Sequence, residues 1–306
     1  KQSLTGIGSV IMNQRMCCPK LEGRIMSAQQ AAELIQDGMV VATSGFTLFG
    51  HPKIVPQALA ERAEQGESIG ITLITGASVG DELDGVLSRA GVIRRRYPYQ
   101  SNPDVRRMAN DNRIAYADVH LSQLPAMMRK GVFGSIDIGI LEVAAVGPKG
   151  ELYPTTSLSI SPAIVQCAER LILEVNLAQS PHLVGIHDVY DRGRLWGQPI
   201  PIVSPEQRVG TTWLDCNTDK IAAIVFTNVP DPGARLMSTK PEHQQMAEHL
   251  LKFLKKEIAL GRISNPLPPM QSGVGGVANA VLGGLLHSDL EGLTFYSEVI
   301  QDAVLD

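Results

Sequence analysis

Short apolar runs alternate with amphipathic segments along most of the chain. Segments with helical spacing lie at about 52–65, 125–130 and 161–168. Strands that alternate with helices in this way predict an α/β fold, with a mostly parallel sheet flanked by helices. The apolar runs that predict its strands are Met39–Thr43, Ile71–Thr75, Ala115–Val119, Ile136–Glu142, Arg170–Val175 and Ile221–Phe226.

Local signals mark where several helices begin and end. Ser27 and Gln30 have the spacing of a capping box, which predicts a helix start at Ser27. We expect that helix to end at Asp37-Gly38, because glycine readily adopts the left-handed conformation of a helix C-terminus. Pro52 suits the first turn of the next helix, where its missing N–H would have no partner in any case.

The pattern changes after about residue 235. Residues 241–260 predict one long amphipathic helix, with Met246, Leu250, Leu251 and Leu254 on one face. The prolines of Asn265–Pro269 cannot continue a helix and predict a stiff connection. We therefore divide the chain into an N-terminal extension (1–20), an α/β domain (21–235), a linker helix with its proline-rich connection (236–269), and the beginning of a second, similar domain (270–306).

The end of the chain repeats the order of an earlier segment. Ser44-Gly45, a helix and Ile71–Thr75 correspond to Ser272-Gly273, a helix and Leu293–Ser297. In this alignment Glu298 lies opposite Gly76. The similarity suggests an internal duplication whose second copy has barely begun at residue 306, since a doubly wound domain needs about 100 residues or more.

Composition and charge argue against several classes of function. A net charge of −4 with no basic stripe argues against a nucleic-acid partner. No apolar run approaches the ~18 to 20 residues that cross a bilayer, so no membrane association is expected. Residues 1–20 lack the apolar core of a secretory signal. Four cysteines without zinc-ribbon or disulfide spacing predict free thiols and no metal in a cytoplasmic protein, or a mitochondrial one in a eukaryote: Cys17, Cys18, Cys167 and Cys216.

The glycine loop Ser272–Asn279 is the first candidate for chemistry. It differs from a dinucleotide-binding fingerprint, because it reads G-x-G-G-x-A and follows prolines instead of a buried strand. Its backbone N–H groups at a helix start can instead stabilise a developing negative charge. Glu298 ends the next predicted strand, where it is either a functional carboxylate or a solvated residue at a strand end.

Segments in family order resemble the acetyl-CoA hydrolase/transferase family of class I CoA-transferases, which includes succinyl-CoA:acetate and propionyl-CoA:succinate transferases. The resemblance covers the chain from about Leu21 onward. It rests on Asp37–Thr47 with Gly50-x-Pro-Lys53, Thr75–Ser78, Pro98–Gln100, Asp118–Ser122, Asp137–Glu142, Arg208–Thr211, Gln271–Gly275 with Ala278–Val281, and Phe295–Val299.

The resemblance implies a role for each matching residue. Glu298 would be the nucleophile, which forms a glutamyl-CoA thioester in ping-pong catalysis. The Val274 N–H, between Gly273 and Gly275, would be one half of an oxyanion hole whose other donor lies beyond residue 306. Arg208 would bind a substrate carboxylate, or else form a structural ion pair. The acyl pocket would be lined by two residues that could equally be loop caps, Ser44 and Thr75.

The family also implies the ligands. Coenzyme A would be a co-substrate, no cofactor would be permanently bound, and the partners would be acyl-CoA, short-chain carboxylates such as acetate, propionate and succinate, and a second copy in a homodimer. An acyl-CoA hydrolase with the same nucleophile is the alternative, and a non-catalytic ligand-sensing module is the alternative of another class. Arg94–Arg96 could meet CoA phosphates, but such a run is more typical of a solvated surface.

Overall fold

The chain divides into two compact units. The computed structural model describes residues 14–191, 199–204, 206–232, 240–273, 275–299 and 304. The first unit comprises residues 1–196 and 209–232, and the second comprises residues 197–208 and 233–306.

One eight-stranded sheet forms the centre of the first unit. Its strand order is β4-β3-β2-β1-β5-β7-β8, with every pair parallel, and β6 pairs antiparallel with β5. The prediction of a mostly parallel sheet flanked by helices is confirmed. The strands are β1 (Val40–Thr43), β2 (Ile71–Thr75), β3 (Ile93–Tyr97), β4 (Ala115–Tyr116), β5 (Ile136–Val146), β6 (Leu152–Pro154), β7 (Ala168–Asn176) and β8 (Ile221–Thr227).

Helices cover both faces of this sheet. The side chains of Leu171 and Ile172, neighbours on β7, join two different apolar clusters, because successive residues of a strand point to opposite faces. A parallel sheet buried on both faces reads as near-continuous apolar sequence, as most of these strands do. The α-helices are α1 (Ala28–Ala32), α2 (Ile54–Glu64), α3 (Val86–Arg89), α4 (Pro103–Asn110), α5 (Leu124–Arg129) and α6 (Ser161–Cys167), with a π-helical turn at Asp81–Gly85.

Several elements differ from the expectation. The Ser27 capping box is present, but α1 ends at Ala32, well before Asp37-Gly38. Strand β5 continues past Glu142 to Val146, where it pairs with β6, a strand that the apolar pattern does not predict. At the edge, β4 keeps only two of the five residues expected of it.

Residues before position 20 already belong to the first unit. Met16 and Cys18 are buried in its core, and the Cys17 N–H donates to the Val146 carbonyl. The buried Arg15 guanidinium donates to the carbonyls of Ala144 and Gln179, at 2.9 and 2.6 Å. Residues 14–20 therefore pack as part of the domain, whereas the sequence groups them with an extension.

The second unit contains α7 (Pro241–Ala259) and α8 (Gly276–Leu286). The buried side of α7 is centred on Ala247 and Leu251, which pack against Gly284 of α8. The expected apolar face was wrong in part, since Met246 and Leu250 are exposed. Of the expected strand Leu293–Ser297, only an isolated parallel bridge forms, between Phe295 and Met270.

No helix in the described ranges is long and apolar enough to cross a membrane.

Candidate active site

The glycine loop and the segment of Glu298 lie side by side in the second unit. The Met270 N–H donates to the Thr294 carbonyl, and the Tyr296 N–H donates to the Met270 carbonyl, each at 2.9 Å. The Ser297 hydroxyl accepts from the Ser272 N–H at 3.1 Å and donates to the Ser272 carbonyl at 3.0 Å. Both segments run parallel, so they leave this pairing at the same end, where α/β proteins build their sites.

Glu298 follows Ser297 directly and is exposed, as is its neighbour Tyr296. Gly275 is the residue before α8 and has a φ of 136°, a conformation that suits glycine. The arrangement brings a solvent-accessible carboxylate next to a glycine loop that opens an 11-residue helix. Val274, the expected oxyanion donor between Gly273 and Gly275, lies outside the described residues.

Arg208 also belongs to the second unit and is exposed. Its neighbour Gln207 organises the preceding turn, because it accepts from the Val203 N–H at 2.8 Å and donates to the Pro201 carbonyl at 3.0 Å. The expectation that Arg208 binds a substrate carboxylate stays a prediction.

Ser44 and Thr75 lie at the carboxyl ends of adjacent strands, β1 and β2, in the first unit. Both are buried. The Ser44 hydroxyl donates to the Gly50 carbonyl and accepts from the Glu142 N–H, each at 2.8 Å, while Thr75 Oγ1 accepts from the Ser78 N–H at 3.1 Å. The hydroxyls thus act as loop caps, and their role in lining a substrate pocket stays a prediction.

A buried charged cluster below the Ser44 loop was missed by the sequence reasoning. The Lys53 ammonium forms ion pairs with Glu142 and, at 2.9 Å, with Asp231, and donates to the His51 carbonyl at 2.9 Å. Each of the three charged side chains is less than one-tenth exposed. The signal that could have found it is Glu174, a carboxylate inside the apolar run Leu171–Val175 of strand β7.

The N-terminus of α2 is held by Glu174. Its carboxylate accepts from the N–H groups of Lys53 and Val55, at 2.8 and 2.7 Å. Such N–H groups lack a partner inside the helix and attract negative charge. Burial nevertheless raises the pKa of Glu174 above its usual value, because it disfavours the charged form.

The charges of this cluster are unbalanced, with one lysine against three carboxylates. Burial raises the pKa of Glu142 to about 7, although Lys53 acts in the opposite direction. Burial alone would lower the pKa of Lys53, but Glu142 and Asp231 outweigh it and raise that pKa. Lys53 likewise lowers the pKa of Asp231 against the effect of burial. Among the described residues, Glu142 Oε1 is buried without a hydrogen-bond partner.

A second buried ion pair corrects the expectation for Arg94–Arg96. Arg96 is fully buried, not solvated, and its guanidinium pairs with Asp84 at 2.8 Å and donates to the Ser78 carbonyl at 3.0 Å. The Ser78 hydroxyl donates to the other oxygen of Asp84 at 2.6 Å. Arg94 is half exposed and pairs with Asp37. Arg96 is the internal arginine of the run, and its guanidinium is satisfied by Asp84 and by the Ser78 carbonyl.

The described residues contain no group of three or more His, Cys, Asp and Glu side chains arranged to hold a metal ion.

Residues 12–194 match the model of the acetyl-CoA hydrolase/transferase N-terminal domain. The chain belongs to this family. It is 42% identical to a succinyl-CoA:acetate CoA-transferase of Clostridium kluyveri over 94% of this chain and 54% of that protein. It is 37% identical to a propanoyl-CoA:succinate CoA transferase of Escherichia coli, over 92% of this chain and 58% of that protein. It is 30% identical to an acetyl-CoA hydrolase of Candida albicans, over 97% of this chain and 59% of that protein. The chain thus spans a little over half the length of these relatives.

Solved structures show the same fold at lower identity. RipA from Yersinia pestis superposes with a TM-score of 0.64 at 18% identity, over 97% of this chain and 59% of that one. A 4-hydroxybutyrate CoA-transferase from Porphyromonas gingivalis gives a TM-score of 0.56 at 18% identity, over 94% and 57%. At this identity the likeness carries the fold and no more.

Proposed function

We propose that the full-length protein transfers CoA between short-chain carboxylic acids through a glutamyl-CoA thioester on Glu298. The observation that carries this proposal is the exposed carboxylate of Glu298, which lies beside a glycine loop that opens a helix. The relatives with the highest identities cited above are named as CoA-transferases, which supports transfer as the activity.

The proposed chemistry begins with attack of the Glu298 carboxylate on the thioester carbonyl of an acyl-CoA. The C–S bond breaks, which gives a mixed anhydride and CoA thiolate. The thiolate then attacks the glutamyl carbonyl, releases the first acid as its carboxylate and leaves the γ-glutamyl-CoA thioester. An acceptor carboxylate repeats these two steps in reverse, which forms the new acyl-CoA and restores Glu298. A covalent intermediate divides one difficult transfer into easier steps.

A carboxylate suits this exchange because the acyl group passes between an anhydride and a thioester, both of them activated. Backbone N–H groups of the glycine loop, with that of Val274 as the proposed donor, would stabilise the oxyanion that forms at each attack. In the same proposal Arg208 binds a substrate carboxylate, Ser44 and Thr75 contact the acyl group, and the protein is a homodimer.

Trapping of the intermediate tests the nucleophile. The full-length protein is incubated with acetyl-CoA and no acceptor, then treated with borohydride, which reduces a thioester. Peptide mapping should find the reduced side chain at residue 298, with loss of activity. A modification at any other residue contradicts the assignment of Glu298.

Hydrolysis of acetyl-CoA is the second candidate, because several relatives at 30–32% identity are named acetyl-CoA hydrolases. In that case water attacks the glutamyl thioester in place of an acceptor acid. With acetyl-CoA fixed, added succinate or propionate should yield a new acyl-CoA faster than free CoA accumulates if the protein is a transferase. Equal release of free CoA with and without acceptor would favour the hydrolase.

A further inference from the structure

The segment from Ser44 to Lys53 connects β1 to α2 and is fixed at several points. Its Phe46 and Phe49 bridge each other, Thr47 bridges Ser78 of the loop after β2, and the Gly50 N–H donates to Asp231 at 3.2 Å. All of these contacts lie at the carboxyl edge of the first unit's sheet. The segment therefore joins the ends of neighbouring strands into one surface.

Lys53 is the charged centre of these contacts. Its ammonium reaches Glu142 on β5 and Asp231, which lies beyond β8, while its own backbone N–H is bound by Glu174 of β7. Asn176 completes the cluster, because its amide donates to Glu142 at 3.0 Å and to the Val229 carbonyl at 2.8 Å. One side chain thus ties the loop to elements that are far apart in sequence.

We propose that Lys53 is a positioning residue, whose ammonium fixes the Ser44–His51 loop in the conformation that binds substrate. This inference rests on the proposed function, in which Ser44 contacts the acyl group. Lys53 itself is 1% exposed, so it acts through the loop and not by touching substrate. The effect of Lys53 reaches the substrate through the Ser44 hydroxyl, because that hydroxyl is hydrogen-bonded to Gly50 of the loop and to the Glu142 backbone.

Removal of Lys53 alone leaves buried carboxylates without their cation, and such a variant can fail to fold. The triple variant Lys53→Met, Glu142→Gln, Asp231→Asn avoids this, because it keeps the shapes of the side chains and removes the unpaired charges. Lys220→Met is the matched control. The Lys220 ammonium also binds carbonyl groups, those of Val165 and Gln166, but it precedes β8 and so lies at the opposite edge of the sheet.

The experiment compares steady-state kinetics of the full-length wild type and both variants, with acetyl-CoA and succinate as the substrates. We expect the triple variant to fold cooperatively and to show a KM raised about 10- to 100-fold, with kcat changed less than about threefold. The Lys220→Met control should keep both constants. This split separates positioning from partial unfolding, since unfolded protein lowers kcat and leaves KM unchanged.

An unchanged KM in the folded triple variant would overturn the proposal, as would an equal rise of KM in the control. Failure of the proposed function is read separately in the wild type, because there borohydride trapping would find no thioester on Glu298. The double variant Glu142→Gln, Asp231→Asn keeps Lys53, and it should restore much of the wild-type KM that the triple variant loses, since the ammonium still donates to the His51 carbonyl. No recovery would count against Lys53 as the positioning group.

Discussion

Two segments of the molecule share the order of glycine loop, helix and strand-like segment, and the residue that follows the last of these distinguishes them. In the first unit Gly76 follows β2, and a Cβ there would clash with the Gly45 carbonyl oxygen and the Ser159 hydroxyl. In the second unit the aligned residue is Glu298, which is exposed. In the first unit this position has no room for a side chain, and we call it the closed edge. In the second unit the same position is open and holds a carboxylate. A substitution at this aligned position should accordingly affect stability in the first unit and activity in the second.

The largest expected effect is that of Glu298→Ala on turnover. Loss of a covalent nucleophile commonly lowers the rate by several orders of magnitude. Because Glu298 is exposed, its removal should leave the thermal unfolding midpoint within about 1 °C of wild type. The measurements are kcat for CoA transfer and calorimetry of the full-length protein. A large loss of stability would mean that Glu298 is structural and would break the comparison.

Arg208→Ala should also reduce activity, but for one class of substrate. Succinyl-CoA keeps a free carboxylate that needs a partner once it is desolvated, whereas acetyl-CoA has none. We expect kcat/KM for succinyl-CoA to fall ~10- to 1,000-fold, and that for acetyl-CoA to fall much less.

Lysine at position 208 is the control, and it should recover only part of the loss because it lacks the two-pronged geometry of arginine. Equal losses for both substrates would show that Arg208 supports the site in general. No loss for either substrate would remove it from the substrate pocket.

In the first unit, Arg96→Met should reduce stability by about 3–5 kcal/mol, because it leaves the buried Asp84 carboxylate unpaired. Arg94→Met is the control from the same run, and its half-exposed pair with Asp37 should be worth about 0–1 kcal/mol. Urea unfolding of both variants gives the two values. Equal losses would contradict the different burial of the two arginines.

The sequence predicted those parts of the fold that depend on continuous apolar runs. Strands β1, β2, β5, β7 and β8 were found because, buried on both faces, they each contain a nearly continuous apolar run. Strand β3 was missed because three arginines fill it, and Arg96 is internal because Asp84 and the Ser78 carbonyl bind its guanidinium. Such pairing between distant segments leaves no local pattern.

The same distinction between local and long-range features applies to the residues of the candidate site. Glu298 and the glycine loop form a short local motif, so the sequence alone could mark them as candidates. The cluster of Lys53, Glu142, Glu174 and Asp231 is assembled from four places along the chain. Each of its members resembles an ordinary charged residue until the topology brings the strand ends together.

Gly76→Ala tests the closed edge directly, with an expected loss of about 3 kcal/mol in the free energy of unfolding. The added methyl group meets the backbone of Gly45, which cannot move as a flexible side chain can. Gly23→Ala is the matched control, since nothing lies within 4 Å of a Cβ at that position. If Gly76→Ala is as stable as the control, the edge is open in the first unit too, and the comparison with Glu298 loses its basis.

Glu142→Gln should have the smallest effect, and its size should depend on pH. The pKa of Glu142 is raised from 4.5 to about 7, so the stability associated with its protonated form is fully present below pH 4.5 and is lost as pH rises through 7. The groups that face it are Lys53, Asp231, Glu174 and Asn176, and glutamine retains the neutral form at every pH. We therefore expect the variant to gain about 1–2 kcal/mol relative to wild type between pH 5 and pH 8, as measured by urea unfolding at each pH. Because other titrating groups are the same in both proteins, they cancel in this difference. A difference that is constant across this range would show that Glu142 is charged throughout and that Lys53 balances it fully.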